Sequence, residues 1–147
     1  MSILGHKEIL ELIPHAGSMC LLDEVLNWNA VLVRCLSRRY HELDNPLRRT
    51  DGKLGAACGI EIAAQAMAVH GRLTAPADTP PMPGYLVSLR NVRLAAPVLD
   101  GGTGDLLLVE AHLMAGGKDS ASYEFVVSSR GTPWVEGRAV VLFGAAR

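Results

Sequence analysis

The stretch GIEIAAQAMAVH, residues 59–70, constrains the fold more than any other part of the chain. Its spacing predicts a helix running from about Leu54 to Leu73, with apolar residues on nearly every side. A helix that is apolar all round is buried, not laid on a surface. Ala56, Ala57, Ala63, Ala64, Ala66 and Ala68 make it slim, so other backbone can approach it closely. A curled sheet wrapped around one helix would need such a rod.

The flanking segments supply that sheet. HKEILELI (6–13) reads as a short amphipathic helix that Pro14 stops. CLLDEVLNWNAVLVRCLSRRY (20–40) reads as two strands around a polar break at Asn27 to Asn29. The polar segment 41–53 and the proline-rich segment 74–84 read as loops. Four strand-like runs follow at 85–94, 105–114, 121–129 and 133–143, and Gly-rich breaks separate the last three. Breaks this short favour antiparallel meander pairing over βαβ crossovers. The expectation is one α+β domain over residues 1–147, its sheet covering a single long helix.

Composition narrows the function classes. Net charge is -1, which gives no basic excess for nucleic acid or an anionic membrane. Arg34, Arg38, Arg39, Arg48 and Arg49 do cluster, either as a solvated surface or as a docking patch for an acidic partner. The three cysteines, Cys20, Cys35 and Cys58, have no C-x-x-C spacing, so neither a disulfide framework nor a zinc site is expected. No His/Cys/acid spacing suggests another metal. No segment approaches the roughly 18 apolar residues of a membrane span, and the opening segment does not read as a signal peptide. A soluble, cytoplasmic protein is the expectation.

Glu61 is the anomaly in the apolar helix, and Gln65 shares its face one turn later. A buried carboxyl must be compensated. Desolvation raises its pKa and suits it to proton donation, while the helix N-terminus favours the anion and opposes that rise. The plain alternative is an early-turn acid that faces solvent or pairs with an arginine. Gly55 and Gly59 bracket the helix start. Free N–H groups there could polarise a carbonyl oxygen, or the glycines could serve only the turn and close packing.

Three segments, in order, resemble the FabZ-type 3-hydroxyacyl-(acyl carrier protein) dehydratases of the hotdog fold. They are EILELIPHAGSMCLLDEVLNW (8–28), GIEIAAQAMAVH (59–70) and YLVSLRNVRLAAPVLDGGTGDLLLVEAHL (85–113). The GIE-x-x-AQAMA-x-H form is most similar to divergent dehydratase-like proteins of aryl-polyene and polyketide-type gene sets. The resemblance implies an antiparallel sheet around one helix, and a dimer with its site between subunits. It implies that Glu61 protonates a departing hydroxyl while a His takes the α proton of a 3-hydroxyacyl thioester. Backbone at Gly55 and Ala56, with Gln65, would then face the substrate. No cofactor is implied beyond the phosphopantetheine of an acyl carrier protein, or CoA, that carries the substrate. The partners implied are that carrier protein and a second copy or a related hotdog subunit.

The chain departs from the family at the base. The usual His, followed by an aromatic residue and a proline, stands 14 residues before the Glu, a position that here is Leu47; the nearest matching text, NPLRRTDG (45–52), places Asn45 before Pro46, and His41 lies four residues earlier. An amide is not a general base at neutral pH. Three readings stay open. His41 reaches the site by a rearranged loop; or the chain is a weakly active or structural subunit of a heterodimeric dehydratase; or the site hydrolyses thioesters. His15 and His70 read as structural, with His70 on the side of the helix away from Glu61.

Overall fold

The computed structural model describes residues 3–13, 19–42, 44–78, 84–95 and 106–143, and at positions 41 and 85 the backbone alone. A seven-stranded antiparallel sheet wraps one long helix. The strands are β1 (Leu4–Gly5), β2 (Glu24–Trp28), β3 (Leu32–Ser37), β4 (Gly84–Leu94), β5 (Leu107–Gly116), β6 (Ser120–Ser129) and β7 (Thr132–Phe143). The helices are α1 (His6–Leu12) and α2 (Cys58–Thr74). The sheet order is β1-β2-β3-β5-β6-β7-β4, so β4 returns to the far edge.

Local chemistry explains most of these elements. Alternation in β6 and β5 sends Ala121, Tyr123, Phe125 and Val127, with Leu107, Val109 and Ala111, into the core against α2. Arg130 and Gly131 both have positive φ, 52° and 79°, which is the two-residue hairpin geometry joining β6 to β7. The break between β2 and β3 lies at 29–31, where Asn29 Oδ1 accepts from the Val31 N–H at 2.8 Å. That is two residues later than the polar cluster suggested, because Asn27 and Trp28 still pair with Arg34 and Val33.

Two differences from the sequence reading have clear causes. The helix starts at Cys58, four residues past Leu54, because Leu54 bridges to Arg48 and residues 55–57 form the entering turn. β1 has only two residues, too few to carry a periodic signal, and is defined by its pairing with Val25 and Glu24. Pro14, His15 and the DGGTG segment lie outside the described residues.

The helix is also less uniformly enclosed than its composition suggests. Ile62, Ala63, Gln65, Ala66, Met67, Val69 and His70 are buried, whereas Ala57 is exposed and Ile60, Glu61, Ala64 and Ala68 are half-buried. Spacings of three and four put these last five along one stripe of α2. Its own sheet therefore closes around one side of the helix and leaves the stripe partly open.

Candidate functional site

Glu61 sits in the first turn of α2, on that stripe, next to the helix N-terminus. Gln65 fixes it. The Gln65 side chain is fully buried, and its Nε2 donates to Glu61 Oε2 at 2.8 Å. The same nitrogen donates to the Met19 carbonyl at 2.8 Å, and Oε1 accepts from the Leu21 N–H at 2.9 Å. One amide thus ties α2 to the irregular segment before β2 and bonds one carboxyl oxygen. The resemblance placed Gln65 against substrate; within the chain its amide holds Glu61 and the 19–21 backbone.

The turn entering α2 makes two different uses of glycine. A Cβ on Gly59 would lie 2.7 Å from Val135 Cγ2, so Gly59 serves the close approach of helix to β7. A Cβ on Gly55 would meet nothing within 4 Å, so packing within the chain does not demand a glycine there. The Gly55 and Ala56 carbonyls accept from the Cys58 and Gly59 N–H groups at 2.9 Å. Among the described residues the Ala56 N–H at the helix start meets no acceptor.

Asn45, the residue before Pro46 in the loop where the resemblance expects a His, is built into that loop. It is 4% exposed. Its Oδ1 accepts from the Leu47 N–H at 2.9 Å, an Asx turn, and its Nδ2 donates to the Tyr40 carbonyl at 2.5 Å. Nδ2 also lies 3.9 Å from Cys58 Sγ, so the loop is docked on the first residue of α2. His41 ends a short 3-10 turn, Arg39–His41, in the same loop; its side chain lies outside the described atoms.

Other titratable groups near the helix are buried. His70 Nδ1 meets the Tyr123 hydroxyl at 2.8 Å and Nε2 meets the Asn29 carbonyl at 2.9 Å, with the two rings edge to face. Burial lowers the His70 pKa below its ordinary value, against hydrogen bonds to the Asn29 and Ala30 backbone that raise it. Burial pushes the Tyr123 hydroxyl and the Cys35 thiol up to about 12. Among the described residues no cluster of His, Cys, Asp and Glu could hold a metal ion, and no helix is long and apolar enough to cross a membrane.

The arginine cluster is engaged within the chain. Arg34 pairs with Glu110 at 3.0 Å, Arg38 with Glu24 at 3.0 Å, and Arg39 with Asp23 at 2.7 Å. Arg48 donates to the Glu42 and Gly52 carbonyls, and Arg49 lies 3.6 Å from Asp51. Sequence alone counted these charges but not their partners, which lie on neighbouring strands and loops.

Comparison with solved structures gives the same fold. The chain superposes on the dehydratase heterocomplex ApeI:P from Xenorhabdus doucetiae with a TM-score of 0.77 and 26% identity, over 93% of this chain and 91% of that one. A thioesterase mutant from Pseudomonas aeruginosa matches at a TM-score of 0.67 and 9% identity, over 97% and 95%. A hypothetical thioesterase with coenzyme A from Streptococcus pneumoniae matches at 0.62 and 8%, over 96% and 98%. At those identities the two thioesterases share the hotdog fold alone. Comparison with curated proteins finds no match. The ApeP-like family of ApeP dehydratases matches residues 7–144, nearly the whole chain, and the protein belongs to that family.

Proposed function

We propose that the chain eliminates water from 3-hydroxyacyl thioesters as one half of a hotdog heterodimer, with Glu61 as the general acid. The observation that carries this is the Glu61–Gln65 pair: a carboxyl locked at a helix start, on a stripe that its own sheet leaves half-open. In the reaction a base removes the α proton, the Cα–Cβ double bond forms, and the Cβ–O bond breaks. Glu61 gives its proton to the departing hydroxyl, which leaves as water. The Ala56 N–H at the helix start suits the thioester oxygen, on which negative charge gathers.

The base comes from the partner subunit. Both ends of the Asn45 amide are held by Tyr40 and Leu47, and an amide does not accept a proton at neutral pH. The likeness to a heterocomplex supports this arrangement. The partner docks on β4, an 11-residue edge strand whose Leu86, Leu89 and Leu94 are 38–48% exposed. The acyl carrier protein delivers the substrate on its phosphopantetheine arm.

The test is dehydration of a 3-hydroxyacyl-(acyl carrier protein) by the purified chain, alone and with a His-bearing hotdog partner. We expect turnover only with the partner, abolished by Glu61→Gln and unaffected by His41→Ala. Turnover by the chain alone that His41→Ala removes would transfer the base to His41. Release of free thiol without enoyl product would overturn dehydration in favour of thioester hydrolysis.

A further inference from the structure

We propose that the open edge of the sheet selects its partner by charge. Arg90 and Arg93 disfavour pairing with a second copy of this chain and favour a related chain whose edge strand sets carboxylates opposite them. This rests on β4 being the docking edge.

The register of β4 on β7 assigns its two faces. Leu86, Leu89 and Leu94 stand opposite Val141, Ala139 and Val135, all of which are buried toward the helix. These three leucines therefore line the helix-side face and stay exposed because none of the described residues covers them. Ser88, Arg90 and Arg93 stand opposite Val140, Arg138 and Glu136, on the outer face. A bulge places both arginines on that face although they are three residues apart; Asn91, with φ of 54°, lies within it.

The outer face of β4 is thus uniformly positive. GYLVSLRNVRL contains two arginines and no acid. Arg138 on the neighbouring strand is paired with Glu124 at 3.0 Å. Among the described residues no ion pair reaches Arg90 or Arg93, and Glu136, opposite Arg93 in register, joins neither.

Self-pairing of this strand has a predictable cost. Two copies related by a two-fold axis near Leu89 would put their Arg90 side chains diagonally across the pair, about 7–8 Å apart. That is within the Debye length of about 8 Å at physiological salt, and the two Arg93 side chains add to the same face. A partner strand with Asp or Glu at those places turns repulsion into attraction. The leucine face supplies affinity for either partner, and the arginine face supplies the choice.

The probe is the charge-reversed copy of this chain, Arg90→Glu/Arg93→Glu, mixed in equal amount with the wild-type chain. Native mass spectrometry of the mixture counts the three dimers, and circular dichroism checks that both chains are folded. We expect mixed dimers to make up roughly 80% or more of all dimers, against the half that random pairing gives. Wild-type self-association should tighten as salt rises from roughly 50 to 500 mM, because screening relieves the repulsion, and mixed pairing should weaken. Mixed dimers at the random half, or wild-type self-association that salt loosens, would overturn charge selection while leaving the edge as an interface. Absence of association in every mixture would overturn the edge itself. If the reversed chain does not fold, Arg90→Gln/Arg93→Gln takes its place. It should self-associate about 5-fold more tightly than wild type, and an unchanged constant would overturn the proposal. No turnover is read, so failure of the dehydratase reading leaves this result standing.

Discussion

Gln65 and Asn45 are both buried amides within reach of the start of α2, and both bond at the two ends of the side chain. They differ in what they hold. Gln65 reaches a carboxylate and two backbone groups from residues 19 and 21, so it connects elements far apart in sequence. Asn45 bonds residues five before and two after itself and reaches Cys58 Sγ only at 3.9 Å, so it chiefly shapes one loop. The first amide holds a carboxyl; the second holds its own turn and docks it against Cys58 at the start of α2. Identical functional groups, similarly buried, thus separate into a long-range tie and a local brace by the sequence distance of their partners.

The sharpest way to break that comparison is to remove what Gln65 holds. Glu61→Gln should lower turnover of the heterodimer by about 10²–10⁴-fold while leaving thermal stability nearly unchanged, read from parallel assays and melting curves. A variant that keeps its turnover would leave Gln65 as a brace like Asn45. Gln65→Ala should strand the Leu21 N–H and Met19 carbonyl in the core, lowering stability by about 2–4 kcal/mol in denaturant unfolding, and should also depress kcat. Asn45→Ala should lower stability by about 1–2 kcal/mol, with kcat unchanged once the folded fraction is corrected for. A kcat loss there as large as for Gln65→Ala would erase the distinction.

His70 provides the smallest test, as a third buried polar side chain with long-range partners. Its folded pKa lies below its ordinary 6.5, so the unfolded chain binds the proton first. Its contribution is therefore complete above about pH 6.5 and is lost as pH falls through the folded value. Urea unfolding across pH 7.5 to 5 should show declining stability, and the decline should shrink in His70→Phe, which cannot titrate. An equal slope in both chains would remove His70 from the account.

How much of this the sequence shows depends on the range of each interaction. The alanine-rich helix, the meander and the hotdog architecture are periodic or recurrent, and the three-segment resemblance carried them. Glu61 was visible as a carboxyl out of place, and Gln65 as its neighbour one turn on. The Met19 and Leu21 partners of Gln65 were not visible, because a strand-like segment met 44 residues earlier carries no mark of what it will face. The acids that pair with the arginine cluster are hidden for the same reason: Asp23, Glu24 and Glu110 come from segments that only the fold brings together. The half-open stripe of α2 was also hidden, since alanine is compatible with either a sheet or a second subunit.

The contact between Gly59 and Val135 has a mechanical consequence. With no side chain at Gly59, the valine beds against helix backbone, and a Cβ there would sit 2.7 Å from its methyl. Sliding α2 by one residue, about 1.5 Å along its axis, would drive Cys58 or Ile60 into that methyl. The pair works like a detent in an instrument: it permits one axial setting of the rod and resists the next. Glu61 lies two positions further on, so backbone against β7 sets its depth, and the carboxyl inherits the tolerance of the sheet.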